Sequence, residues 1–170
     1  YKLIKNLMLY KKTITIITIF IPLSLLIGTL VSEILILSIV FLFLLESLLK
    51  NKWFWIKDEY FKYLLILWLV LLINLIFSQD FQGSLSRNLG FARYIFLIMA
   101  LKYKVFNDRK NLDLIFKCWS AMIFMVILDL YLEQIRGSNI LGFTSENPAR
   151  LVGFLKDEYK IGSYIFGFIF

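Results

Sequence analysis

Arg150 stands in the run Asn147-Pro148-Ala149-Arg150-Leu151-Val152-Gly153-Phe154-Leu155-Lys156-Asp157-Glu158-Tyr159-Lys160-Ile161-Gly162-Ser163-Tyr164, a polar, glycine-punctuated stretch just before the last apolar segment of the chain. A guanidinium presents a planar fork of donors that matches phosphate or carboxylate oxygens in pairs. At the mouth of a helical bundle such a group is suited to an anionic ligand carried on a lipid. A plainer role stays open beside it, because loop arginines snorkel to headgroups or pair with neighbouring acids, and Glu146, Asp157 and Glu158 are close in sequence. Gly153 and Gly162 suit a close backbone approach or a helix entry. Asp157 and Glu158 precede an apolar segment, where carboxylates are favourable partners of a helix N-terminus.

Arg93 is the second arginine of interest, five residues into an apolar stretch among Phe91, Tyr94, Ile95 and Phe96. A charge at that depth must face protein or a watery cavity and calls for a partner. One role is an ion pair with Asp129, which an antiparallel neighbouring helix brings to a similar depth; the other is ligand binding, and the two are compatible. The chain has no histidine and one cysteine, Cys118, so neither a disulfide nor a transition-metal site is expected, and no cofactor is implied.

The elements that must position these residues are set by hydropathy. Sixty per cent of the residues are hydrophobic, 18% are aromatic, and the mean hydropathy is +0.78. From Thr13 to Ser32 there is no charge, which is about the length needed to cross a hydrocarbon core of roughly 30 Å as a helix. A secretory signal peptide does not account for this run, since it exceeds an h-region and further apolar segments follow. The fold expected is all-α, a polytopic transmembrane helix bundle forming one domain over residues 1–170. Six spans are predicted, at about Thr13–Leu30, Ile34–Leu49, Tyr63–Phe77, Asn88–Leu101, Leu114–Leu132 and Lys160–Phe170. Gly28, Ser32 and Glu33 mark a tight hairpin between the first two, and Pro22 is placed to kink the first. The chain begins without methionine and stops inside an apolar segment, so a fragment whose C-terminal spans and large outer loop lie beyond it is expected.

Charge sets the predicted orientation. The clusters Lys2 to Lys12, Lys50 to Lys62 and Lys102 to Lys117 fall on one side, which the positive-inside rule assigns to the cytoplasm, N-terminus included. Arg87, Arg93, Arg136, Arg150, Lys156 and Lys160 fall at or near the other side, together with most of the acids. The net charge of +7 is thereby a topology signal, and no nucleic-acid partner is implied. Inner cations are nearly all lysine, a sufficient point charge, whereas the outer ones are mainly arginine. The outer loops, Ser78 to Arg87 and Glu133 to Tyr159, are also richer in Gly, Ser and Asn. Chemistry is expected on that face.

The run Arg-Leu-Val-Gly-Phe-Leu-Lys-Asp-Glu-Tyr-Lys-Ile-Gly-Ser-Tyr, from Arg150 to Tyr164, resembles the Arg-x-x-Gly-Phe-x-x-Asp-Glu…Gly-Ser-Tyr signature of the O-antigen ligase and O-antigen polymerase family of bacterial inner-membrane glycosyltransferases. Upstream, Ser78 closing the third span, Ser84 and Ser86 in the following loop, and Arg93 in the fourth span are similar to the family pattern as well. The resemblance implies transfer of a saccharide from undecaprenyl pyrophosphate to a sugar hydroxyl of lipid A core or of a growing glycan, at the periplasmic face, without a metal and with inversion. Arg150 would then be the leading diphosphate ligand and Arg93 the second, with Gly153, Phe154, Asp157, Glu158, Gly162 and Ser163 supporting the motif. The family's general base is a histidine in a large periplasmic loop, and this chain has no histidine. The catalytic base is therefore unassigned, and activity is expected to require a part of the protein beyond this chain.

Ligase and polymerase resemble each other over this region. Two other classes compete with them. A flippase or transporter of lipid-linked oligosaccharide would also use outer arginines, but it would call for charged or Gly- and Pro-broken spans near the midplane, and apart from Pro22 and Gly28 the spans are unbroken. A non-catalytic membrane scaffold would use the arginines for headgroup contacts alone.

The orientation is directly measurable. In a Cys118→Ser background, Ser84→Cys and Ser145→Cys should react with an impermeant thiol reagent in intact cells, while Asn51→Cys should be protected. The reverse pattern would invert the topology.

Overall fold

Long runs of Leu, Ile and Phe without alternating polar residues have one economical solution in a bilayer, which is to satisfy every backbone group inside a helix. A computed structural model of the protein describes residues 2–144, 151–155 and 161–169, with side chains from residue 10 to residue 168. Its helices are α1 (Lys2–Ile19), α2 (Ile21–Ile27), α3 (Thr29–Leu49), α4 (Glu59–Asn74), α5 (Phe81–Ala100), α6 (Arg109–Arg136) and α7 (Ile161–Ile169). Short 3-10 turns lie at Phe54–Lys57, Leu75–Phe77 and Gly153–Leu155, and Leu101–Phe106 is π-helical. No strand occurs among the described residues.

Thr29–Leu49, Glu59–Phe77 and Arg109–Arg136 are each long and apolar enough to cross a membrane, and the broken pair Tyr10–Ile19 with Ile21–Ile27 meets the same measure when taken together. Many large apolar side chains on these helices face outward; Phe77 is 80% exposed, Leu49 72% and Phe116 70%. Such a surface is unfavourable in water and natural against lipid. The described residues are thus helical throughout their regular structure, and three to four of their helices are long and apolar enough to cross a membrane, as befits a membrane protein. Of the six predicted spans, the fourth corresponds to α5, whose first half is too polar to count as spanning, and the sixth to α7, which has nine described residues.

Several boundaries differ from the hydropathy reading. The break after α2 is Gly28 alone, with φ of 153°, and Ser32 and Glu33 already belong to α3. Ser84 and Ser86 sit in α5 and not in a loop, because that helix starts at Phe81, capped by the Asp80 carboxylate accepting from Gly83 N at 3.1 Å. Hydropathy misses these two polar turns since it detects lipid contact and not helicity. At its other end α6 runs to Arg136 and is closed by Gly137 at φ 78°, the left-handed conformation that glycine adopts without penalty.

The chain divides into two compact units. One comprises residues 1–17 and 34–109, the other residues 18–33 and 110–170. In the first, Lys50, just past the end of α3, lies over the ring of Tyr10 on α1, 5.6 Å from its centre. Carboxylates gather the basic clusters at that same end. Lys11 pairs with Asp108 at 2.8 Å, and Glu46, 3% exposed, takes Lys50 at 2.5 Å and Lys104 at 2.8 Å. Asp58, which also caps α4 through Tyr60 N, pairs with Lys102 at 2.7 Å and accepts from the Tyr103 hydroxyl. The π-helical turn widens the chain where Lys102 and Lys104 reach these two acids. Trp55 backs this end, donating to Ser47 Oγ and packing on Phe43, Phe61 and Phe96.

In the second unit, Pro22 provides no amide, so the carbonyl of Thr18, four residues earlier, has no helical donor. The indole N–H of Trp119 on α6 donates to it at 3.2 Å. Tyr164 on α7 donates to the carbonyl of Pro22 at 3.1 Å, and Phe168 packs edge-on to Trp119.

The Asp58 and Tyr103 pair makes a pH prediction. Hydrogen bonds from Lys102 first, then Tyr103, hold the Asp58 carboxyl down at about 2, against an ordinary 3.8, while the bond to Asp58 first, then burial, raises the Tyr103 phenol from 10.0 to about 12. A lowered acid stabilises the fold above its unfolded value and loses that contribution as pH falls from 3.8 towards 2; a raised phenol does so as pH climbs from 10.0 towards 12. Asp58→Asn retains a good helix cap. The difference in unfolding midpoint between parent and Asp58→Asn in detergent should be constant near neutrality and shrink on both sides over those two intervals.

Candidate functional site

The second unit builds a loop from buried carboxylates. Asp129 and Glu133 stand four residues apart on one face of α6, 0% and 3% exposed. Asp129 Oδ1 accepts from the amide of Ile140 at 2.8 Å, and no hydrogen bond reaches its Oδ2. Glu133 uses both oxygens, accepting from Val152 N at 3.0 Å and Gly153 N at 2.8 Å. Asn139, 5% exposed, ties the two ends of the loop. Its Nδ2 donates to the Gly153 carbonyl at 2.6 Å, and its Oδ1 accepts from Phe143 N at 2.7 Å. Backbone amides that leave a helix in a desolvated region need acceptors, and ionised side chains are the strongest available.

Gly153 has a specific reason to be glycine. Its φ is +55°, and a Cβ there would sit 3.0 Å from Leu130 Cδ2 and 3.5 Å from Ile161 Cδ1. Backbone conformation and close approach coincide at one of the two positions that Glu133 clamps. Phe154, next in the chain, lines an apolar cavity of about 560 Å³ together with Phe143, Leu23, Leu26, Met122 and Met125. The segment Val152-Gly153-Phe154 therefore joins a polar clamp to an apolar chamber.

The residues singled out from sequence are placed unevenly. Arg150, Asp157 and Glu158 lie outside the described residues. Gly162 and Ser163 are exposed on α7, and a Cβ on Gly162 would meet nothing within 4 Å, so no close approach occurs there among the described residues. Arg93 belongs to the first unit, within α5. Its guanidinium lies over the Tyr94 ring, 5.0 Å from the centre, and Nη2 donates to the Tyr94 hydroxyl at 3.3 Å. Asp129 belongs to the second unit and takes a backbone amide.

Sequence reasoning missed Glu133 and Asn139. Glu133 was countable only as one more acid on the outer side, because its partners are backbone amides 19 and 20 residues away, which leave no side-chain signature. It also missed a polar pocket in the first unit, where Asn74, Ser78, Ser84, Arg87 and Asn88 line a cavity of about 310 Å³. No protein-family model, no curated protein and no solved structure matches the chain.

Two substitutions test the clamp. Gly153→Ala should destabilise the segment by about 1–2 kcal/mol, since an L-residue is strained in the left-handed region. Glu133→Gln, which replaces one acceptor by a donor facing an amide, should cost about 1–3 kcal/mol. Amide hydrogen exchange at Val152 and Gly153 should accelerate in both variants while exchange within α4 stays at the parental rate.

Proposed function

We propose that this chain is the membrane part of an O-antigen ligase-like glycosyltransferase, which moves a saccharide from undecaprenyl pyrophosphate to a sugar hydroxyl of lipid A core or of a growing glycan at the periplasmic face of a bacterial inner membrane. A multi-pass arrangement with six spans and a cytoplasmic N-terminus belongs to the same proposal. The observation that carries it is the build of the segment following Arg150. Glu133 grips the amides of Val152 and Gly153, Gly153 adopts a conformation that demands glycine, and Phe154 enters an apolar cavity. The Arg-x-x-Gly-Phe spacing is thereby one in which the glycine and the aromatic have distinct physical tasks. A lipid-linked diphosphate needs the same combination, a cation for the charge and an apolar recess for the chain.

In this mechanism Arg150 neutralises the pyrophosphate, more strongly as charge develops on the leaving group. Arg93 is the second candidate for that role. Deprotonation of the acceptor hydroxyl falls to a base not yet assigned. Polymerisation of glycan repeats by a member of the same family is the alternative, and it differs mainly in acceptor. Deletion of the gene separates the two: core lacking any polymer indicates ligation, and core capped by single repeat units indicates polymerisation.

Arg150 is tested by complementing that deletion. Arg150→Ala should lose nearly all transfer at unchanged membrane insertion, and Arg150→Lys, which keeps the charge and loses the paired donors, should retain a little. Lys156→Ala serves as the control for generic outer-face charge and should be almost silent. Parental glycan in the Arg150→Ala strain would refute the diphosphate role.

A further inference from the structure

The pocket at the junction of α4 and α5 lies entirely within the first unit, at the end opposite the Asp58 and Lys102 cluster. We infer that it is a binding site for a phosphate group, presented by a lipid headgroup or as the free anion, independent of the role proposed for Arg150.

The lining carries the chemistry. Arg87 is exposed at the rim and donates from Nε to the Gly83 carbonyl at 3.2 Å, one turn back on α5. That bond fixes the plane of the guanidinium and leaves the edge formed by its two η-nitrogens for a paired contact with phosphate oxygens. Asn74, exposed at the end of α4, adds an amide donor from the facing wall. Between them Ser84 and Ser78 share a hydrogen bond of 2.7 Å, and Ser78 donates to the Asp80 carbonyl at 3.0 Å. Since the Ser78 proton is committed there, the Ser84 proton supplies the serine contact, and it can swing to an anion at the loss of that one bond.

The scaffold is braced for this. Asn88 Nδ2 donates to the Leu71 carbonyl at 3.0 Å, and Trp68 Nε1 donates to the Asn88 carbonyl at 2.8 Å, which locks α5 to α4 beneath the cavity. Among the described residues no carboxylate lines the pocket, and the nearby Asp80 side chain is turned onto Gly83 N. Its volume of about 310 Å³ is ample for a phosphate and its first substituent. Phe77 on the rim and its neighbour Ile76 are 80% and 76% exposed, an apolar margin beside the polar lining that suits the tail of a lipid whose phosphate enters the pocket.

The test uses the chain purified in detergent and microscale thermophoresis with three probes: dihexanoyl phosphatidic acid, dihexanoylglycerol and inorganic phosphate. Phosphatidic acid should bind. Arg87→Gln should weaken it at least about tenfold, as loss of a charge-assisted pair implies, Arg87→Lys and Asn74→Ala should each weaken it less, and Lys57→Gln at the opposite end should leave it unchanged. Inorganic phosphate that displaces the lipid at similar concentration identifies the free anion as a sufficient ligand; failure to displace it identifies the headgroup with its tail. The site is refuted if neither phosphate probe binds, if dihexanoylglycerol binds equally well, or if Arg87→Gln, shown by circular dichroism to keep its helicity, binds as the parent does.

Discussion

A backbone carbonyl or amide that loses its helical partner inside a bilayer has no water to turn to, and this constraint shapes the second unit. Pro22 removes the donor for the Thr18 carbonyl, and Trp119 supplies an indole N–H in its place. Beyond α6 the chain leaves the helix while still packed against it, and Asp129, Glu133 and Asn139 receive or answer the groups set free. Side chains with fixed donors and acceptors thus substitute for turns of helix wherever the backbone departs from one. The departures at Pro22 and Gly153 are also where the chain forms its apolar chamber, since α2 and Phe154 both contribute to it.

The opposite strategy governs the lysine-rich end. The lysines clustered there are not left wholly to solvent: Glu46, Asp58 and Asp108 each bind a lysine contributed from a distant or neighbouring turn. At Glu46, whose side chain is 4% exposed, removing both lysines would leave a buried charge uncompensated. Lys102 illustrates the economy of the arrangement, pairing with Asp58 while lying over the rings of Tyr60 and Tyr103.

Much of the helical content was legible in the hydropathy, because lipid exposure writes itself directly into composition, and the break near Pro22 and Gly28 was legible from residue type. The start of α5 was not, since Asp80 and the polar turns after it look like a loop to any measure of apolarity. Asp129 was singled out as an ion-pair partner for Arg93, yet the group it is seen to take, Ile140 N, is a backbone amide and has no letter of its own. The same reason hid Glu133. Gly153 and Phe154 stood out by their spacing from Arg150, and the structure supplies the separate physical demands behind each.

The π-helical turn at Leu101–Phe106 has a consequence of another kind. Such a turn holds one residue more than an α-helix needs for the same advance, so the chain length here is set by which side chains must meet and not by the distance to be covered. Loss of a single residue between Lys104 and Asp108 would let the segment relax to an ordinary helix and rotate the chain beyond it by about 100°. Asp108 would then swing away from Lys11, and α6 would turn a different face to its neighbours. Loops elsewhere absorb insertions and deletions; at this place the register of the helices is written in the count of residues.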